Sequence, residues 1–223
     1  MSEAGSTNTL DSTSFEELER FRGIRRLHNH WSQPIGRPAY YWYLTFENSM
    51  QLHSLARECQ NAIDFPYYDL TPMDGLHLTV DRVAFDGDIT RSQLAAIEGA
   101  AVRACHEIPP FDVTIGALGG TAGAVGFTAF PAQPIRDLRD ALRGATLSVF
   151  PEAPVTSSDF HPHVAIAYAN SDDVPAAEAI AAVEVLNPAA RVDVTISEAT
   201  LVLLERRRRS YSWQVISRIP LNP

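Results

Sequence analysis

Gly75-Leu76-His77-Leu78-Thr79-Val80 and Phe160-His161-Pro162-His163-Val164-Ala165-Ile166-Ala167-Tyr168 are the two stretches on which the reading of this chain turns. Successive side chains of an extended strand point to opposite faces. Leu76, Leu78 and Val80 therefore share one face of the first stretch, and His77 and Thr79 share the other. In the second, Val164, Ile166 and Tyr168 lie opposite His163, Ala165 and Ala167. Each stretch reads as a strand with an apolar face for the core and a histidine on the free face. A lone histidine in that setting is most often structural. Two of them in matched contexts, at positions 77 and 163, point instead to a half-chain repeat and to two related lobes facing each other.

Working outward, strands and helices interleave. Tyr40 to Phe46 is aromatic and β-branched and reads as a strand, with Tyr41, Tyr43 and Thr45 on one face and Trp42, Leu44 and Phe46 on the other. Helices are expected over 50–63, 89–106, 132–148 and 175–184, and strands over 76–84, 111–118, 124–129, 163–169, 192–204 and 211–218. Gly119, Gly120 and Gly123 mark the turn between the halves. Upstream, Phe15, Leu18, Phe21, Ile24 and Leu27 recur at helical spacing behind capping-box spacings from Thr13 and Ser14, which predicts a helix to about His28. Residues 1–12 lack an apolar pattern and read as a mobile tail, 13–38 as helix and linker, and 39–223 as the folded unit. The alternation means an α/β or α+β fold, not a sandwich or a bundle.

The paired motifs resemble those of the 2H phosphoesterase family, which includes bacterial proteins called 2'-5' RNA ligase or RNA 2',3'-cyclic phosphodiesterase. Its hallmark is His-hydrophobic-Thr/Ser-hydrophobic, once per lobe. His77-Leu78-Thr79-Val80 matches fully; His163-Val164-Ala165-Ile166 has the Pro162 lead-in but alanine where the family carries a hydroxyl. The resemblance runs from about Tyr40 to Leu221 and implies an α+β fold. Its two pseudo-symmetric lobes of mainly antiparallel sheet would carry outer helices around a central groove. It further implies a cofactor-free, metal-independent phosphodiesterase acting on a 2',3'-cyclic phosphate or a 2'-5' linkage, with a small nucleotide or RNA terminus as its partner. His77 would be the acid and His163 the base for a 2'-phosphate product.

The residue types fit that chemistry on their own account. Opening a cyclic phosphodiester takes a proton from water and gives one to the leaving ribose oxygen, and imidazole can do either near neutral pH. A hydroxyl two residues beyond each histidine shares its strand face and can donate to a phosphoryl oxygen, a role open to Thr79 and closed to Ala165. The two histidines are expected on adjacent central strands, about 5–8 Å apart, with one phosphate held between them. Tyr41 and Tyr43 are candidates to stack on a base, and Arg37 to pair with a phosphate. Two other functions remain open. A binding module that has lost efficient chemistry would be compatible with Ala165. A metal-assisted hydrolase would use His161 and His163 with Asp159 or Asp81.

Composition narrows the field further. All 18 basic residues are arginine, so any chemistry that needs a lysine amine is excluded. A net charge of −9 argues against an extended nucleic-acid surface. Cys59 and Cys105 form no CxxC pair and read as buried thiols. No apolar run has the length of a membrane span, so a soluble, cytoplasmic protein is expected. Arg206 to Arg209 reads as a hairpin turn that blunts edge pairing, and His28-Asn29-His30 as the end of a helix, not a nuclease motif.

Overall fold

The computed structural model describes residue 16 and residues 18–155, 160–186 and 191–222. The expected tail, the capping residues Thr13 and Ser14, and Asp159 lie outside the described residues. The fold is α+β with two antiparallel sheets. One runs in the order β3 (His77–Phe85), β1 (Ala39–Thr45), β8 (Glu198–Arg206), β9 (Tyr211–Pro220). The other runs β2 (Tyr68–Leu70), β6 (His163–Ala169), β5 (Ala124–Phe130), β4 (Phe111–Gly120), β7 (Arg191–Ile196). Helices α1 (Met50–Ala62), α2 (Arg91–Cys105), α3 (Ala132–Val149) and α4 (Ala177–Leu186) accompany them. Among the described residues no helix is long and apolar enough to cross a membrane.

The helices are exchanged between the sheets. Helix α1 follows β1 of the first sheet yet packs beneath β6 of the second, where the buried Gln60 amide donates to the carbonyls of Thr71 and Ile166 at 2.7 and 2.8 Å. Helix α3 follows β5 of the second sheet yet packs with α2 against the first. There Trp42 Nε1 donates to Thr146 Oγ1 at 3.1 Å, and Arg143 pairs with the buried Asp81 at 2.6 Å. Trp42, Leu44 and Phe46 are all buried, as the alternation in β1 requires. So are Leu78, Val80, Val164 and Ile166, and one continuous core joins both sheets.

Three expectations are corrected. The N-terminal helix stops at Arg22, and the chain then runs extended: the amides of Leu27, His28 and His30 donate to the carbonyls of Val174, Ala122 and Ala169. Leu27 is buried all the same, as Phe21 is within the helix, so its place in the helical spacing is met without a helix. His28-Asn29-His30 accordingly lies in that extended segment. The single strand expected over 192–204 is two, β7 and β8, because the chain leaves one sheet and enters the other at Ser197. Strand β2 went unpredicted; three residues are too few to show a period.

Candidate active site

His77 opens β3 and His163 opens β6, so the two motifs start equivalent strands of different sheets. The expectation of adjacent strands is thereby corrected. β3 is an edge strand of the first sheet, and it meets β6 where the two sheets approach each other. The rings are fixed in the same way. His77 Nδ1 donates to the Gly75 carbonyl at 2.9 Å, and His163 Nδ1 donates to the His161 carbonyl at 2.8 Å. A carbonyl two residues back can only accept, so each neutral imidazole carries its proton on Nδ1 and presents a bare Nε2.

The surroundings of the two rings differ. Tyr43 lies opposite Thr79 on β1, and its ring stacks on His77 with centroids 4.3 Å apart and planes 15° from parallel. Trp213 of β9 closes edge-on over both, 5.0 Å from His77. This cover, helped by the nearby His163, lowers the His77 pKa to about 4 against the opposing pull of the Gly75 carbonyl. The equivalent of Tyr43 in the other lobe is Gly126, opposite Ala165. A Cβ there would lie 2.5 Å from the Val164 carbonyl oxygen, so the position can carry no side chain. His163 is left exposed.

A cleft of about 700 Å³ between the sheets is lined by Thr79, His163 and Ala165. His77 lines a smaller cavity beside it, with Tyr168, Tyr211 and Trp213. Thr79 hydrogen-bonds the Tyr43 hydroxyl, whose own pKa burial pushes far up. Ala165 is nearly buried in the cleft floor. Thr128, directly opposite His163 on β5, also lines the cleft and brings to it a hydroxyl that motif reading does not single out. The strand pairing that faces it toward His163 is a long-range fact that no local pattern carries.

Other candidates are brought in or left out by the same geometry. Tyr41 lines the cleft. Tyr43 does not offer a face to a base, because it is 2% exposed and its ring is spent on His77. Arg37 stands off the site: it forms a two-pronged ion pair with Asp88 at 2.8 and 2.9 Å, at the end of β1 away from His77. His161 lines the cleft, but Asp81 is turned to the core side and held by Arg143. Among the described residues no three His, Cys, Asp or Glu side chains form a group that could hold a metal. The arginine run is a turn between β8 and β9, as expected. Within it Arg206 donates to the carbonyls of Trp31 and Pro34, and Arg209 grips Asp69 at 2.7 and 2.8 Å. Both cysteines are buried free thiols, pushed up by burial to about 12 and about 11.

A sequence profile described as the 2'-5' RNA ligase superfamily matches residues 51–209. No curated protein matches. Among solved structures, one titled only phosphoesterase superposes with a TM-score of 0.63 at 17% identity, covering 84% of this chain and 100% of its own. TT0787 of Thermus thermophilus gives 0.61 at 17%, covering 82% and 98%. LigT of E. coli, complexed with 3'-AMP, gives 0.60 at 15%, covering 84% and 100%.

Proposed function

The chain belongs to the 2'-5' RNA ligase superfamily, and on that premise we propose that it is a metal-independent phosphodiesterase. Its substrate is a 2',3'-cyclic phosphate or 2'-5' linkage at an RNA end or in a small cytoplasmic nucleotide. The observation that supports this most is the matched pair of imidazoles, each tethered through Nδ1 to the carbonyl two residues behind and each free at Nε2. The binding of 3'-AMP, NADP+ and ATP by E. coli LigT is in keeping with a small nucleotide ligand.

The electrostatics favour the roles opposite to those the resemblance implies. A histidine with a pKa of about 4 is protonated in only about one molecule in a thousand at pH 7. His77 is therefore the base: its Nε2 takes a proton from water, and the water oxygen bonds to phosphorus. The bond from phosphorus to one ribose oxygen breaks, and His163, the imidazole left open to solvent, gives that oxygen a proton from Nε2. Thr79, held in place by its hydrogen bond with the Tyr43 hydroxyl, presents its own hydroxyl to a non-bridging oxygen. In the second lobe Thr128 takes the part that Ala165 is unable to play.

Turnover of 2',3'-cyclic nucleotides and cyclic-phosphate RNA ends tests this, with and without chelator. His77→Ala and His163→Ala should each lower kcat by at least ~10²-fold, the size of a lost acid or base, and activity should survive chelation. Unchanged activity in both variants, or loss on chelation with recovery on adding zinc, removes the two-histidine mechanism. Ala165 favours a second reading, a nucleotide-binding module without efficient chemistry. Tight 3'-AMP binding with background turnover would select it.

A further inference from the structure

The cleft is larger than one phosphate needs, and its charge runs against that of the chain. The protein carries a net −9, yet Arg20, Arg82 and Arg139 line this cleft. The carboxylate on its border, Asp81, is tied to Arg143.

Arg82 owes its position to a β-bulge. Thr45 pairs with His77 and Tyr43 with Thr79, but Trp42 pairs with Asp81 and Tyr41 with Arg82, so Val80 is passed over in the register with β1. An extra residue in one strand resets the alternation beyond it. Without it Asp81 would follow His77 and Thr79 on their face of β3; with it Asp81 faces the core, and Arg82 takes its place opposite Tyr41. The Arg82 guanidinium lies over Tyr41 at 5.6 Å and over Phe85 at 5.0 Å. Its Nε is buried and has no hydrogen-bond partner among the described residues. Two sheet positions, about 7 Å, separate it from Thr79.

We propose that Arg82, backed by Tyr41, is a subsite for a second phosphate of the substrate, the one attached through the 5' oxygen of the nucleoside whose cyclic phosphate meets the histidines. This rests on the reading of His77 and His163 as the reacting pair. One ribose separates the two phosphates, a span matched to the step from Thr79 to Arg82. A guanidinium set against two rings can offer its fork of N–H donors to phosphate oxygens. The second phosphate is either the 5'-monoester of a mononucleotide or the next diester of an RNA end.

The test compares affinities of the full-length protein for 3'-AMP, adenosine 3',5'-bisphosphate and a 3'-phosphorylated adenylyl dinucleotide, in wild type and Arg82→Gln. The same pairs are run as cyclic-phosphate substrates for kcat/KM. In wild type, at least one two-phosphate ligand should bind tighter than 3'-AMP by about tenfold or more, and the ratio should fall to near one in Arg82→Gln. Gain with the bisphosphate identifies the monoester; gain with the dinucleotide alone identifies the diester. Parity in wild type overturns the proposal whether or not the variant folds, and so does a ratio that survives Arg82→Gln. A wild type that turns over nothing but keeps the affinity ratio leaves the subsite standing and removes the phosphodiesterase reading.

Discussion

Tyr43 lies against His77 as a lid on one face, 4.3 Å away and nearly parallel, while the corresponding place beside His163 holds a glycine. Two strands with related sequences thus give their histidines different surroundings and different access to water. The difference comes from the neighbouring strand, not from the motif.

Removing the lid should change the titration. In Tyr43→Ala the His77 pKa is expected to climb from about 4 toward the ordinary imidazole value, read from the ring resonances by NMR. As a base His77 must be neutral, so a higher pKa costs activity on the acid side. The rate at pH 5 relative to pH 7 should drop in the variant. A His77 resonance that titrates alike in both proteins would discard the stacking explanation.

The same shift affects stability. Below its ordinary pKa of about 6.5 histidine takes up a proton in the unfolded chain, whereas His77 in the folded protein waits until about pH 4. Its contribution is therefore fully present above about pH 6.5 and lost as pH falls toward 4. Between pH 7 and pH 5 the loss is about 2 kcal/mol. Urea unfolding at the two pH values should show a smaller difference in His77→Gln.

Thr128→Val keeps shape and removes one hydroxyl. With Thr128 as the second donor, kcat should fall on the order of 10²-fold. Ala165→Thr should raise wild-type kcat and rescue Thr128→Val, since either position then supplies the group. An Ala165→Thr that slows a brisk wild type would mean that alanine makes room for the substrate.

Gly126→Ala would drive a Cβ to 2.5 Å from the Val164 carbonyl oxygen. Backbone on both sides gives way poorly, and a loss of about 1–3 kcal/mol is expected in thermal or urea unfolding. An unchanged midpoint would show that β5 and β6 slide apart more easily than their pairing suggests.

What local pattern carried, the sequence showed well. Period-two alternation put His77, Thr79 and His163 on the free faces, and the apolar face of β1 was correctly read from Trp42, Leu44 and Phe46. It failed wherever a distant strand decided the outcome. Arg37 reads as a phosphate ligand and Arg82 is not singled out at all, because an ion pair with Asp88 and a bulge at Val80 are both set by partners elsewhere in the chain. Tyr43 and Tyr41 are equivalent by alternation, yet only one has a histidine under its ring. Helical spacing continued past Arg22 because Leu27 needed burial, and an extended segment met that need through bonds to three other loops and strands.

The exchange of α1 and α3 between the sheets reaches beyond this site. Strands β1 and β3 precede the turn at residues 121–123 and β8 and β9 follow it, while β2 and β4 precede and β5, β6 and β7 follow in the other sheet. A break at that turn would divide both sheets and separate one of the helices covering each sheet from the strands it packs on. Neither half is a heritable module. Recombination at the midpoint between two such genes would mix the strands inside each sheet and put each histidine under a roof inherited from the other parent. Substrate preference in this chain therefore has to diverge by substitution within the whole, one strand answering another, and not by trading halves.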